Sequence, residues 1–324
     1  MYKKFFGLTR RPFGISPDPY FLLPTPHHNE ALASIVYGVQ QRKGFMVLTG
    51  EAGTGKTLMV RCLLEILRSH GVASANVFNP ILRPHEFLSY VIGDLGLRTV
   101  PQENKGELLL RLYKYLISRE RANKATVLIV DEAQNMDAEL LEEIRLLTNL
   151  ETDQHKLLQI VLAGQPELDA KLDSSQLRQL KQRVSLRCSL EPLQPVETRE
   201  YIWRRLQRAG INFQAVFLFP AKTVAAVHSY SRGIPRLINT ICENALISAY
   251  ARQSKTVTEE MIEDVAQDLR LQITSRPAIS AANLTESQAL AKSLLNLANL
   301  LENATRSSFS RPANSLEIVS SKVV

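Results

Sequence analysis

The sequence has few cysteines, which stabilise small secreted proteins, and lacks the long apolar runs that build membrane spans. Its 324 residues include three cysteines, Cys62, Cys188 and Cys242, with no CxxC or cysteine–histidine spacing. This argues against both a disulfide framework and a zinc site. No run of 18 apolar residues occurs, and no long apolar segment follows the basic start. We expect a cytoplasmic protein without a membrane span, with any contact to the inner membrane made through a partner.

Acidic residues are fewer than basic ones, 32 against 39, which gives a formal net charge of +7. Such a charge favours contact with nucleic acid, anionic lipid or an acidic protein. The basic residues are spread along the chain, so a solvated basic surface explains the charge as well as a DNA site does. DNA therefore stays open as a partner.

Short aliphatic runs alternate with longer amphipathic segments between residues 45 and 190. This alternation is typical of βαβ units on a parallel sheet. The predicted strands are 45–49, 75–79, 126–130, 158–163 and 185–190. The predicted helices between them are 57–69, 84–93, 106–122 and 138–149. We predict an α/β fold with a five-stranded parallel sheet between layers of helices.

A glycine-rich loop, GEAGTGKT, lies between the first strand and the first of these helices and fits the GxxxxGK[ST] pattern. Backbone N–H groups of such a loop surround phosphate oxygens, and the helix dipole adds to the attraction. Lys56 supplies a cation for the β- and γ-phosphates, and the Thr57 hydroxyl binds Mg²⁺. The pattern predicts a P-loop site for ATP with Mg²⁺. Its expected binding residues are Gly50, Glu51, Ala52, Gly53, Thr54, Gly55, Lys56, Thr57 and Leu58.

Polar side chains also end the third and fourth predicted strands. VLIVDEAQ places Asp131 and Glu132 at the carboxyl edge, where such sheets bind ligands. Asp131 would hold magnesium, and Glu132 would polarise the attacking water. Gln165 is expected to sense the γ-phosphate or this water; the alternative is an ordinary loop residue before Pro166. Together they favour hydrolysis over binding alone.

Three arginines after these strands are candidates for contact with the nucleotide. Arg183, and after it Arg178, in LRQLKQRVSL are candidates for an arginine finger that reaches a neighbouring subunit's nucleotide. The alternative is that they complement the helix dipole. Arg236 begins a helix in RGIPRLIN and is expected to reach the phosphates; the alternative is a plain helix start.

Four regions are predicted. An N-terminal extension, 1–43, is expected to form one side of the adenine site with Pro19, Tyr20, Phe21 and Glu30. The alternative is that these residues only pack against the core. The nucleotide-binding domain is 44–192. A helical lid, 193–271, has predicted helices at 196–209, 220–230, 234–252 and 258–268, the last capped by Thr258. The tail, 272–324, has the composition of a disordered segment. Within it, 287–304 is either a docking helix or a marginal one.

Seven segments occur in a specific order: FFGLTRRPFGISPDPYFLLPT, HNEAL, GEAGTGKT, VLIVDEAQ, LAGQPEL, LKQRV and GIPRLIN. Together they resemble AAA+ ATPases of the general secretion pathway protein A (ExeA-like) family, related to origin-recognition and transposition-type ATPases. The resemblance covers about residues 1–270. It implies a P-loop NTPase (AAA+) fold, ATP turnover in a homo-oligomer, and a partner in envelope machinery. Secretion-type members continue into a membrane span and a peptidoglycan-binding region; the chain shows neither, so cell-wall binding is not expected.

Three functions remain open. The first is an ATP-driven factor for the assembly or export of an envelope system, such as a secretion, pilus or exopolysaccharide system. The second is a DNA-binding ATPase regulator of the transposition type, which the +7 charge favours. The third is a nucleotide-gated scaffold, against which Glu132 argues because it supplies a carboxylate for hydrolysis.

Overall fold

The computed structural model describes residues 2–98, 103–211 and 215–272. The predicted helix 287–304 lies outside these residues. Five strands form one parallel sheet in the order β2-β3-β4-β1-β5. Their bounds are β1 Phe45–Gly50, β2 Ala73–Val77, β3 Thr126–Val130, β4 Gln159–Gly164 and β5 Val184–Leu190. The predicted α/β architecture is confirmed, with each strand end within about two residues of its predicted place.

Helices surround the sheet and continue after it. In the first part of the chain they are α1 Tyr2–Phe6, α2 Pro26–Gln40, α3 Lys56–Ser69, α4 Pro84–Asp94, α5 Lys105–Arg121, α6 Ala138–Leu147, α7 Pro166–Leu172 and α8 Arg178–Lys181. After β5 come α9 Pro195–Arg208, α10 Ala215–Leu218, α11 Ala221–Ser231, α12 Pro235–Ala251 and α13 Glu259–Asp268. Short 3-10 helices occupy Pro19–Phe21, Ala133–Asn135 and Ser175–Leu177. None of the described helices is both long and apolar enough to cross a membrane.

The sheet is apolar on both faces. Phe45 and Val47 of β1 point into one core with side chains of α4 to α8, whereas Met46 and Leu48 point into the other with α2 and α3. Side chains of a strand alternate between the two faces, so a strand covered on both sides must be apolar at every position. This explains why β1, β3 and β4, which are buried at every position, read as largely continuous hydrophobic runs, whereas the edge strand β5 alternates.

The helices after β5 surround a third core. Ile238, Ile241, Ala245 and Ala249 lie three or four residues apart on one side of α12 and are buried in it. Thr258 caps α13, as predicted, because its side chain accepts a hydrogen bond from the Met261 N–H. The N-terminal segment divides between cores: residues 5–23 supply side chains to the helical core, and α2 packs on the sheet. The limits of the four regions stay a prediction.

Candidate functional site

The glycine-rich loop lies at the carboxyl edge of the sheet, between β1 and α3. Gly53 has φ of 86° and Gly55 has φ of 108°, in the left-handed region that favours glycine. A Cβ on Gly53 would come within 2.7 Å of the Cβ of Arg236 at the start of α12. The Arg236 N–H also donates a hydrogen bond to the Gly53 carbonyl, at 3.2 Å. Glycine is therefore needed here both for the turn and for the direct contact with α12.

Lys56 lies inside this loop and is 5% exposed. Its Nζ donates to the carbonyl oxygens of Gly50, at 2.7 Å, and Glu51, at 3.0 Å. Burial lowers the pKa of the Lys56 ammonium, and the charges of Glu132 and Asp131 partly oppose this. The loop thus holds a poorly hydrated cation beside two carboxylates.

Asp131 follows the last residue of β3 and is 3% exposed. One of its oxygens accepts a hydrogen bond from the Thr57 hydroxyl at 2.8 Å, and the other accepts from the Glu132 N–H at 2.9 Å. Burial raises the pKa of the Asp131 carboxyl, although both hydrogen bonds favour its ionised form. A hydroxyl and a carboxylate oxygen side by side are the hard donors that Mg²⁺ prefers. The residues present therefore fit a magnesium ion.

Glu132, whose φ is 54°, belongs to a further set of hydrogen-bonded residues at the site. Its carboxylate accepts a hydrogen bond from Nε2 of Gln134 at 2.6 Å. The Oε1 of Gln134 accepts from the backbone N–H of Gln165 at 3.1 Å. Gln134 was missed in the sequence analysis, although the segment DEAQ places it two residues after Glu132. The side chain of Gln165 does not cap α7, at whose start it stands.

These groups meet at a cavity of about 480 Å³. Nine of the predicted site residues line it: Ala52, Gly53, Gly55, Lys56, Thr57, Leu58, Glu132, Gln165 and Arg236. Asp131 lies behind Thr57, and Gly50, Glu51 and Thr54 are not part of the lining. The sheet edge, the loop and the start of α12 thus share one cavity.

The predicted adenine wall is placed differently. Pro19, Tyr20, Phe21 and Glu30 do not line the cavity, whose N-terminal wall is 14–18 instead. Tyr20 and Phe21 face α9, where the guanidinium groups of Arg208 and Arg205 lie over their rings. Two of the four residues predicted for the adenine wall, Tyr20 and Phe21, thus contact α9 instead.

The opposite wall contains a polar cluster of Tyr201, Arg205 and Asn239. Arg205 is 6% exposed, and its Nε donates to the carbonyl of Pro12 at 2.7 Å. A second nitrogen donates to Asn239 Oδ1 at 2.8 Å and to the Tyr201 hydroxyl. Asn239 lies 34 positions from Arg205 in the sequence and Pro12 lies 193 positions from it, and no sequence motif links them. The cluster ties the N-terminal segment to α9 and α12.

The two arginine-finger candidates lie away from the cavity. Arg183 is half-buried and donates to the Thr148 hydroxyl at 2.6 Å. Arg178 begins α8 and is exposed. Neither residue is among those that line the cavity.

Comparison with known proteins agrees with this geometry. A protein-family model described as an AAA domain matches residues 39–172. General secretion pathway protein A of Aeromonas hydrophila is 42% identical over 269 residues, which are 83% of this chain and 48% of that protein. The chain therefore spans about half the length of this curated relative.

Solved structures share the fold at low identity. Cdc6p from Pyrobaculum aerophilum matches with a TM-score of 0.62 and 18% identity, over 81% of this chain and 71% of that one. The Aeropyrum pernix ORC1 protein, solved in complex with DNA, matches with a TM-score of 0.57 and 19% identity, over 80% and 69%. The AAA-domain match and the 42% identity with general secretion pathway protein A show that the chain belongs to the AAA+ family, in the group of general secretion pathway protein A, and the solved structures share its fold.

Proposed function

We propose that this chain binds ATP with Mg²⁺ and hydrolyses it to ADP and phosphate. The observation that carries this proposal is the meeting of Lys56, Thr57, Glu132, Gln165 and Arg236 at one cavity. A phosphate-binding loop, a magnesium-ligand pair and a carboxylate for water activation are the parts that phosphoryl transfer needs.

Each group has a distinct role in this proposal. Lys56 leaves the loop carbonyls and binds the β- and γ-phosphates. Thr57 and Asp131 hold Mg²⁺, which neutralises charge on the phosphate oxygens when bound. Glu132 orients and polarises the attacking water. Gln165 contacts the γ-phosphate or this water, and the exposed Arg236 reaches the phosphates from α12.

Steady-state phosphate release from ATP and Mg²⁺ tests the proposal. We expect Lys56→Ala to abolish nucleotide binding, and Glu132→Gln to bind ATP but lose about 10²- to 10⁴-fold in turnover. Lys114→Ala, an exposed lysine of α5 outside the cavity, is the matched control and should turn over normally. Normal turnover by Glu132→Gln would remove Glu132 from its proposed role, and a parent chain that releases no phosphate would overturn the enzyme proposal. ATP-dependent assembly without phosphate release would instead support the scaffold.

We further propose a homo-oligomer in which Arg183, or otherwise Arg178, contacts the neighbour's nucleotide. Mixing Arg183→Ala with Glu132→Gln tests this, because one of the two kinds of mixed interface combines an intact arginine with an intact carboxylate. Restored turnover in the mixture supports Arg183, and the same mixture made with Arg178→Ala tests Arg178. No restoration by either would remove both candidates.

The relative's name motivates a proposal about the biological role. General secretion pathway protein A is named for secretion, and we propose that this chain, in the cytoplasm, drives assembly or export of an envelope system through a protein partner at the inner membrane. Deleting its gene should block that system, and Lys56→Ala should fail to restore it. Full restoration by Lys56→Ala would show that ATP is not needed.

The net charge of +7 supports a second candidate, a DNA-stimulated ATPase. Titration of the chain with duplex DNA at 50 and 200 mM salt tests it, since counterion release makes such binding steeply salt-dependent. A steep loss of affinity together with DNA-stimulated turnover supports this function. No binding at 50 mM salt removes it.

A further inference from the structure

We infer that Gln134 is a positioning residue that holds Glu132 and Gln165 in one fixed arrangement for hydrolysis. The inference rests on the proposed ATPase function and adds a residue to it. It starts from the two hydrogen bonds of one amide, to the Glu132 carboxylate at 2.6 Å and from the Gln165 N–H at 3.1 Å.

The chemistry of the partners fixes the direction of this amide. The backbone N–H of Gln165 only donates, so it requires the amide oxygen of Gln134. The NH₂ group of Gln134 must then face Glu132, whose ionised carboxylate only accepts. A flipped amide would place two donors together at one end and two acceptors at the other. The side chain therefore has one favourable orientation, and it joins the ends of β3 and β4.

The backbone around Gln134 is also held in place. Nζ of Lys171 on α7 donates to the carbonyls of Gln134 and Met136, both at 2.6 Å. On the β4 side, a Cβ on Gly164 would come within 3.0 Å of Gln134 Oε1, so the amide lies directly against the strand end. The left-handed φ of Glu132 turns the chain sharply before Gln134. Rigid support of this kind is what a precisely oriented reacting group requires.

Substitutions separate the two hydrogen bonds from the volume of the side chain. Gln134→Met keeps the length and removes both hydrogen bonds. Gln134→Asn keeps the amide but is one methylene shorter, so it cannot reach both partners at once. Neither variant should therefore have the activity of the native chain, and asparagine should not restore what methionine loses.

Steady-state turnover of ATP with Mg²⁺ by the full chain is the first test. We expect Gln134→Met and Gln134→Asn to lower kcat about tenfold, less than loss of the carboxylate itself, with KM within about twofold. Gln154→Met is the matched control, because Gln154 is exposed in the loop before β4, at the opposite end of the strand. A raised KM with unchanged kcat would overturn the inference.

A double-mutant cycle distinguishes positioning from a general structural effect. If Gln134 acts through Glu132, adding Gln134→Met to Glu132→Gln should change single-turnover hydrolysis by less than about twofold. A full tenfold further loss would show that Gln134 acts independently, and the inference fails. A Gln134→Met variant as active as the parent, beside an inactive Glu132→Gln, defeats the inference and leaves the proposed function intact. An active Glu132→Gln removes the role of Glu132 on which the inference rests, and only a parent chain that releases no phosphate defeats the proposed function itself.

Discussion

Two groups of buried polar side chains meet the same cavity and differ in how their charges are satisfied. On the P-loop side, burial lowers the pKa of Lys56 and raises the pKa of Asp131, so it favours the neutral form of each side chain. On the lid side, Arg205 is bonded to neutral acceptors, among them Pro12 and Asn239, and lies over two aromatic rings. The P-loop side is arranged for charges that a ligand brings, whereas the lid side is complete without one.

The largest expected effect concerns the lid side. Arg205→Met removes the donors to Pro12 and Asn239 and leaves a buried carbonyl unpaired, so we expect it to lower the free energy of unfolding by roughly 3 kcal/mol. Arg204→Met on the same helix is the control: Arg204 is exposed and pairs with Glu200, so roughly 0.5 kcal/mol is expected. Thermal unfolding of nucleotide-free protein measures both. Equal stability of the two variants, with weakened ATP binding only in Arg205→Met, would break the comparison.

An intermediate effect is expected on the P-loop side. Because the pKa of Asp131 is raised in the fold, its ionised form lowers stability above the ordinary pKa of an aspartate. Asp131→Asn should thus melt at the same temperature as the parent, or about 2 °C higher, without nucleotide. It should lose the additional stabilisation by ATP with Mg²⁺, which is about 2.7 kcal/mol at a hundredfold excess over Kd. Differential scanning fluorimetry with and without Mg²⁺ measures this, and an unchanged Mg²⁺ shift would remove Asp131 from the site.

The smallest effect concerns pH. His28 lies under the loop, with its ring bonded to the Thr25 hydroxyl at 2.5 Å and near the Thr54 carbonyl at 3.4 Å. Burial lowers its pKa, His27 adds to this, and the Thr54 carbonyl and Glu197 oppose it. The unfolded chain therefore takes up the proton first as pH falls below about 6.5, and the fold loses stability there, by at most roughly 1.4 kcal/mol per pH unit.

Thermal unfolding at pH 7.5 and 5.5 checks this expectation. His28→Gln should lose less stability between the two values than the parent, because the residue that takes up the proton is gone. The exposed His155→Gln should behave as the parent does. If His28→Gln and the parent lose equally, the loop is not sensitive to this histidine.

Sequence alone predicted the parts of the site that lie within short segments. The P-loop and the strand ends at Asp131 and Gln165 follow local patterns. The start of α12 could be predicted because proline is common at the first position of a helix, and Pro235 stands there. Parallel strands then bring their carboxyl ends together without further information. Gln134 was not singled out, because its role depends on the backbone of Gln165, 31 residues later.

The lid-side cluster was missed for a related reason. Arg205 contacts Pro12 across 193 residues, and a contact of that separation leaves no periodic signal. The N-terminal wall was predicted at Pro19, Tyr20, Phe21 and Glu30, but the two aromatic residues pack against arginines of α9. Contacts between two helices, or between a helix and an irregular segment, depend on tertiary packing that local patterns do not encode.

The direct contact between Gly53 and Arg236 has a mechanical consequence. No side chain separates the loop from the first turn of α12, so the helix rests on the backbone that would surround the phosphates. α12 has 17 residues and a length of about 25 Å. A tilt of a few degrees at its base would therefore displace its far end by more than one ångström, so α12 would amplify any change in the shape of the loop.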